Sequence, residues 1–445
     1  MTDLHSASLE ELMELVSALM AKVEAQDARI AELEEENRRL RGGKGGGTPL
    51  AIKASRPRKE EQKARTPRDR GYGRPREAQV DERREHAVEQ CPECGRKLEG
   101  GWAHGCRQVI EVVLQKRVVE HVFIARRCGV CRKRWIPTAA ESGLGVQGKR
   151  RFGASVQALA AWLHIQGRTP LETIRKLLWE GCELAISRGE VLNLLEGVKQ
   201  AGETELEGLL QQLRLAPAVC ADETGWREDG QNGYLWGFFT PELRYYEFRD
   251  TRSGQVPVDV LGEEYAGTVI CDFYAAYNRM GVLQRCWPHL LRDAKELAEI
   301  NADRPEVVAW EQALRDLYRE AKDFSSPRLR HRRAARRTFE ARAAALARPY
   351  AEDPEAPQRV LSHRILKHLH ELFVFVEDLT VPGDNNLAER SLRPAVIARK
   401  ISGGTRSTEG SKRRMGLMSL FGTWSAQGRP ALKSCRELLL PTPAP

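Results

Sequence analysis

No run of eighteen apolar residues occurs in this 445-residue chain, so no segment reaches the length of a membrane-spanning helix. The first residues also lack the basic stretch and apolar core of a secretory leader. Ten cysteines are present, but four of them form two C-x-x-C pairs rather than a disulfide framework. The thioredoxin-like βαβ context that a redox pair needs is missing too. These absences argue against membrane and secreted disulfide classes and lead us to expect a reducing, cytosolic location.

A hydrophobic content of 41% supports buried cores in roughly two to four domains. The net charge of +9 and isoelectric point near 9.1 suit a polyanionic partner. Basic residues concentrate at about 41–76, 324–348 and 390–414, whereas the first forty residues are acid-rich.

Residues 1–41 contain a heptad pattern. Leu9, Val16, Val23, Ile30 and Asn37 take a positions, and Leu12, Leu19, Gln26, Leu33 and Leu40 take d positions. Branched residues at a with leucine at d favour a parallel two-stranded coiled coil, and the lone Asn37 would fix its register. A single amphipathic helix packed on its own domain has the same signature. Residues 42–86 are rich in glycine, proline, lysine and arginine, with almost no large apolar groups. They read as a flexible basic linker, either a phosphate screen or a solubilising tether.

The next module, 87–140, holds Cys91-Pro92-Glu93-Cys94 and Cys128-Gly129-Val130-Cys131. Four thiolates on two glycine-flanked knuckles suit a tetrahedral structural zinc. Strand-like segments at Val109–Val113 and Val118–Phe123 would fill the gap as a β-hairpin, with His104 and Cys106 as substitute ligands. Over 150–212 the apolar period turns helical, in pieces broken at 167–170 and 181–189. A helix-turn-helix DNA reader and a plain helical bundle both fit this pattern.

From 213 the period becomes β. A strand ends at Asp222, and two more follow at Tyr234–Phe239 and Arg244–Phe248, with turns at 228–233 and 240–242. A short segment at 256–261 leads to a second acid-tipped strand ending at Asp272. A helix over Tyr274–Met280 and a strand at Gln284–Trp287 complete the first part of the core at 289. This order predicts an RNase H-like α/β core. Residues 290–381 read as a helical insertion, where Arg328, Arg330, Arg332, Arg333, Arg336 and Arg337 form either a solvated face or a phosphate-facing one. Over 382–440, Asp384 or Asn385 would cap a helix carrying Glu389, with Arg393 one turn on.

Aspartates at two neighbouring strand ends, with a third acid on a covering helix, can hold two hard divalent ions for phosphodiester chemistry. Asp222, Asp272 and Glu389 meet that description. Glu223 competes with Asp222, since alternation points only one of them at the site. Asp384 competes with Glu389. His289 either positions a phosphate or packs, and Cys220, Cys271 and Cys286 read as small buried core residues.

Several motifs occur in order: Asp222-Glu223-Thr224, Tyr234-Leu235-Trp236, Cys271-Asp272-Phe273-Tyr274-Ala275-Ala276-Tyr277, Cys286-Trp287-Pro288-His289, and Asp384-Asn385-Asn386-Leu387-Ala388-Glu389-Arg390-Ser391-Leu392-Arg393-Pro394. Together they resemble the DDE transposases of insertion-sequence family sixty-six, the TnpC-like group. The resemblance covers most of the chain, including the coiled coil and zinc module. It implies a catalytic triad of Asp222, Asp272 and Glu389 using two Mg2+ or Mn2+ ions. It also implies cleavage at insertion-sequence ends and transfer of 3′-hydroxyls into target DNA. Partners would be the element's terminal inverted repeats, target DNA and a second copy in a dimer or larger synaptic assembly. The setting would be a bacterial-type cytosol, in association with the nucleoid. Arg390, Arg393, Arg399, Lys400 and Arg406 are the expected DNA contacts.

Many members continue after Arg399-Lys400 into an aromatic-containing stretch. Here Ile401–Ser407 carries a glycine pair instead, which marks a distinct subgroup; with Arg406, Lys412, Arg413 and Arg414 it is expected to line DNA beside the site. The competing readings are a DNA-binding regulator with an inert RNase H-like domain, and a nuclease without strand transfer.

Overall fold

The computed structural model describes residues 76–112, 114–137 and 151–440. The expected coiled coil and the expected linker up to residue 75 lie outside the described residues. The chain divides into two compact units, Met1–Ile110 and Glu111–Pro445.

The described part of the first unit is built around one knuckle. The Cys91 N–H donates to the Arg96 carbonyl at 2.9 Å, and the Gly95 N–H donates to the Cys91 carbonyl at 2.8 Å. Gly95 takes the positive φ (70°) that this tight reversal requires.

The second unit begins with a matching knuckle. Short strands β1 (Arg126–Arg127) and β2 (Arg134–Trp135) pair antiparallel around Cys128 and Cys131. The expected hairpin over 109–123 does not form among the described residues, where no ladder joins these segments. Val112, Val118 and Val122 are exposed. Alternation specifies a strand only where one face is covered, and these side chains have no such cover.

Four helices follow: α1 (Ala154–Ile165), α2 (Leu171–Cys182), α3 (Arg188–Ala201) and α4 (Glu203–Leu215). Ser187 and Glu190 start α3 with a full capping box. Gly202 separates α3 from α4, a helix the sequence reading did not resolve. Ala158, Ala161, Leu195 and Val198 bury their side chains in one cluster with Leu417, Leu420, Phe421 and Trp424 from the far end of the chain. The helical layer is therefore welded to the chain's last helices.

The central sheet comprises β3 (Ala218–Glu228), β4 (Gln231–Phe239), β5 (Arg244–Arg249), β6 (Thr268–Cys271) and β7 (Val282–Arg285), in the order β5-β4-β3-β6-β7. The first three strands are antiparallel, while β6 and β7 add in parallel. Asp229 and Gly230, at φ 49° and 80°, make the two-residue turn between β3 and β4. Both φ signs are those of the type I′ turn whose twist matches paired strands. β3 does not end at Asp222, because this hairpin carries it on to Glu228. Helix α5 (Gln255–Leu261) and a 3-10 turn (Ala275–Arg279) flank β6. β7 also lies earlier than the sequence pattern suggested. Pro288 occupies the first turn of the next helix, where a missing N–H costs nothing, so Trp287 belongs to that helix.

That helix, α6 (Trp287–Ile300), opens the insertion, followed by α7 (Pro305–Asp323), α8 (Leu329–Glu352), α9 (Arg359–Lys367), a 3-10 turn (Leu369–Glu371) and α10 (Val374–Glu377). They share a core that includes Trp287, Trp310, Leu314, Phe339 and Phe373. Of the six clustered arginines, Arg332, Arg333 and Arg336 bind Glu377 or its carbonyl. Half of this basic run thus ties α8 to α10, while Arg328, Arg330 and Arg337 stay exposed.

The chain ends in α11 (Asn386–Ser402), α12 (Thr408–Ala426) and α13 (Ala431–Leu438). Between α11 and α12, Thr405 pairs with the β3 end: its N–H donates to the Arg227 carbonyl at 2.9 Å. The expected role of the glycine pair in lining DNA gives way to a backbone role. Gly403 ends α11 at φ 71°, and Gly404 sits at φ 110° where a Cβ would collide with the Arg227 carbonyl. Arg413 and Arg414 turn inward. Arg413 pairs with Glu196 at 3.2 Å, and the buried Arg414 donates to His164 Nε2 at 3.0 Å. Gly404→Ala is accordingly expected to lower stability by about 1–3 kcal/mol in urea unfolding. An unchanged midpoint would show that the loop tolerates a side chain there.

Candidate active site

The parallel ladder aligns Ala218 with Thr268, Val219 with Val269 and Cys220 with Ile270. Two positions further, the same offset carries Asp222 level with Asp272, just past the end of β6. Strand alternation then sorts the side chains by face. Val219 and Ala221 enter one core cluster with Cys271, Trp236 and Tyr277. Cys220, Trp226 and Ile270 enter the opposite cluster with Ala388, Leu392 and Ala395 of α11. Asp222 shares parity with Cys220, and Asp272 with Ile270, so both lie on the α11 face. Glu223 shares parity with Val219 and Ala221, on the other face.

The contacts of Glu223 agree with this sorting. Tyr277 Oη donates to Glu223 Oε2 at 2.6 Å, and Arg252 Nε donates to its Oε1 at 2.9 Å. Burial still raises the Glu223 carboxyl above its usual range, with Tyr277 and Arg252 opposing. The Arg252 guanidinium donates twice to Oε1 and the Tyr277 hydroxyl once to Oε2, so this carboxylate is already committed to partners on its own face.

Helix α11 reaches the sheet through Asn385. Its side-chain Nδ2 donates to the Ala221 carbonyl at 2.8 Å, and its backbone N–H donates to Cys286 Sγ at 3.2 Å. Its own carbonyl accepts the Glu389 N–H at 3.2 Å. The expected side-chain cap comes from Asp384 instead, whose Oδ1 accepts the Asn386 N–H at 3.2 Å. The other Asp384 oxygen, Oδ2, lies 3.9 Å from Lys322 Nζ. Gly237 lies opposite Asp222 in the β3–β4 ladder. A Cβ there would meet Leu392 of α11 at 3.1 Å. The bare backbone lets α11 settle one turn beyond Glu389.

Glu389 is about one-third exposed, with Oε1 3.6 Å from both His289 Nε2 and Arg292 Nη2. His289 was a named candidate; Arg292 was missed, although it lies one helical turn beyond His289 on α6. Asp272 Oδ1 accepts the Tyr274 N–H at 2.9 Å, which fixes the turn after β6. Among the described residues, no three His, Cys, Asp or Glu side chains converge at metal-ligating distance. The three acids nevertheless interact. Burial, then the charges of Glu223, Asp272 and Glu389, push Asp222 up to about 7, against the Glu223 N–H that it accepts. Hard oxygen donors crowded on one half-buried face suit divalent cations. Asn385 Oδ1, buried without a hydrogen-bond partner, adds one more unsatisfied oxygen beside them.

Of the expected DNA-contacting residues, Arg390, Arg393, Lys400 and Arg406 are exposed. Arg393 and Lys400 continue along α11 from Glu389 at helical spacing. Arg399 is a structural tie instead, donating to the Gly225 carbonyl of β3.

In each knuckle the first thiol is held below its usual range. The backbone N–H groups of Cys94 and Glu93 do this for Cys91, and those of Cys131 and Val130 for Cys128. Cys94 and Cys131 supply the second thiol of each pair. Among the other cysteines, Cys220, Cys271 and Cys286 are buried, as their apolar settings implied.

The crowding around Asp222 has a consequence for pH. Its carboxyl has a reference value of 3.8 and is raised in the folded chain. Between about pH 4 and pH 7 the folded chain retains a proton that the unfolded chain has released, so this group makes stability fall as pH rises through that window. With no Mg2+ or Mn2+ added, Asp222→Asn should stabilise the protein at pH 8 by on the order of 2 kcal/mol, allowing for residual solvent. The gain should vanish near pH 4. A variant no more stable than the parent at pH 8 would contradict the burial and like charge that raise this carboxyl.

No helix among the described residues is long and apolar enough to cross a membrane. No curated protein sequence matches the chain. A family profile described as "Transposase IS66 family" matches residues 149–413, from the helical layer through the α12 start. That span is more than half of the chain and includes all three acids, so the protein belongs to the IS66 family of transposases.

Proposed function

We propose that this transposase cuts DNA at the ends of its element and joins the freed 3′-hydroxyls to target DNA, with Asp222, Asp272 and Glu389 as its catalytic carboxylates. One observation carries the reading. The β3–β6 register and the Asn385 tether bring two strand acids and one helix acid to the same face of a β5-β4-β3-β6-β7 sheet. That strand order, antiparallel then parallel, is the pattern of an RNase H-like core.

Asp222 and Asp272 would hold the divalent ions, with Glu389 as the third carboxylate ligand. The bound ions supply an activated water or 3′-hydroxyl and stabilisation of the leaving oxygen. The protein's own residues do the remaining work. Glu223 stays with Tyr277 and Arg252, leaving Asp222 as the acid facing the metals. His289 and Arg292 of α6, each 3.6 Å from Glu389 Oε1, would orient that carboxylate from the side. Arg390, Arg393, Lys400 and Arg406 offer charge to the DNA backbone along and beyond α11. Cleavage and joining are both in-line displacements at phosphorus, so one constellation serves both.

The remaining modules fit the same task. Helices α1–α3 and the zinc module would read the element ends, while the coiled coil would pair protomers so that two ends can be synapsed. The four thiols Cys91, Cys94, Cys128 and Cys131 would hold one structural zinc.

Asp222→Ala, Asp272→Ala and Glu389→Ala should each abolish strand cleavage of an end-containing duplex in Mg2+, with end binding retained. A triad variant that still nicks or joins would sink the assignment. Metal analysis should find about one zinc per chain, lost in Cys91→Ser; a folded, zinc-free parent protein would refute the zinc module.

A further inference from the structure

We propose that Glu371, carried by the helical insertion, holds Arg285 so that Arg285 fixes the turn aiming the Asp272 carboxylate. Glu371 and Arg285 are then positioning residues that couple the insertion to the site. The inference rests on the proposed role of Asp272 only in its last step.

The backbone past β6 needs donors. The sheet ladder stops at Cys271, whose carbonyl accepts the Cys286 N–H at 2.8 Å. The next residues, Asp272 to Tyr274, are partly buried and lie beyond the ladder, so their carbonyls need donors from elsewhere. Arg285, the last residue of β7, is fully buried and aligned with Cys271 in the parallel ladder. Its Nη1 donates to the Asp272 carbonyl at 2.7 Å and to the Tyr274 carbonyl at 3.3 Å. Its Nη2 donates to Asn278 Oδ1. One planar fork thus grips the chain from 272 to 278. Within that grip, the Tyr274 N–H holds the Asp272 carboxylate at 2.9 Å. The orientation of the carboxylate follows from the turn, and the turn follows from the guanidinium.

A buried guanidinium requires a counter-charge, and the insertion provides it. Arg285 Nε donates to Glu371 Oε2 at 2.5 Å, and His368 Nδ1 lies 2.9 Å from the same oxygen. The segment carrying these residues is itself fastened to the core. The Leu372 carbonyl accepts from Gln284 Nε2 at 3.1 Å and from Trp287 Nε1 at 2.6 Å. The His368 ring also stands edge-on to Phe273, next to Asp272, with centroids 5.6 Å apart. A shift of the insertion therefore reaches Asp272 through the Glu371–Arg285 hydrogen bonds and through the His368–Phe273 contact.

Glu371→Gln in the full-length protein tests this, because Glu371 is partly exposed whereas loss of Arg285 would strand several buried acceptors. Two readouts decide. Amide hydrogen exchange should quicken over 272–278 while 219–224 is unchanged. Calorimetric Mn2+ affinity should fall about tenfold, the lower end of the loss from removing an outer-shell partner. Glu371→Asp, which keeps the charge on a shorter arm, should lose less. Unchanged exchange over 272–278, exchange quickened equally across the sheet, or an unchanged Mn2+ affinity would each overturn the inference. Failure of the active-site reading looks different: Asp272→Asn would then leave Mn2+ binding intact, while the exchange pattern would still decide whether Glu371 holds the turn.

Discussion

Residues fifty positions apart meet in this protein because Cys220 pairs with Ile270 in a parallel ladder, which carries Asp222 and Asp272 to the same level beyond it. Parallel strands need a crossover, and β4, β5 and α5 supply one. The β3–β6 ladder stops just before the acids, so Asp272 lies just past the end of β6 while Asp222 stays within β3, opposite Gly237. Everything further depends on that offset. α11 must cover the same face to bring in Glu389, and the Asn385 amide on the Ala221 carbonyl holds it there. Burial first, and then the charges of Glu223, Asp272 and Glu389, raise the Asp222 carboxyl at this place.

Alternation also separates the neighbouring acids by face. Glu223 projects to the opposite face, into a pocket formed by Tyr277 and Arg252. The pair Asp222-Glu223 is thus a division of labour across a sheet rather than a redundant ligand. Around it, the chain closes on itself. The helical layer of α1–α4 buries its apolar face against α12 and α13, and the insertion latches to β7 through Leu372. Both peripheral layers thereby press on the elements that carry the acids.

Much of the site is legible in the sequence because it depends on local pattern. Apolar runs ending in Asp222 and Asp272 announce neighbouring strands, the Asn385–Glu389 spacing announces a helix start, and each C-x-x-C specifies its own knuckle. What escapes the sequence depends on partners far away. β3 looked finished at Asp222, yet the Asp229-Gly230 hairpin and Thr405 extend it. Arg332, Arg333 and Arg336 looked like a free basic face until Glu377 met them. Arg399 looked like a DNA contact, yet it donates to Gly225. The apolar alternation at 109–123 promised a hairpin, but among the described residues no ladder joins these segments and Val112, Val118 and Val122 are exposed. Charge and alternation state a preference; the distant partner decides its use.

The central claim is that Asp222, Asp272 and Glu389, and not Glu223, hold the cations. Anomalous diffraction from crystals of the full-length protein grown with Mn2+ tests this most directly. Two peaks about 3.5–4 Å apart among those three carboxylates are predicted, with Glu223 still bound to Tyr277 and Arg252. Manganese coordinated by Glu223, or seated away from Asp222 and Asp272, would contradict the account.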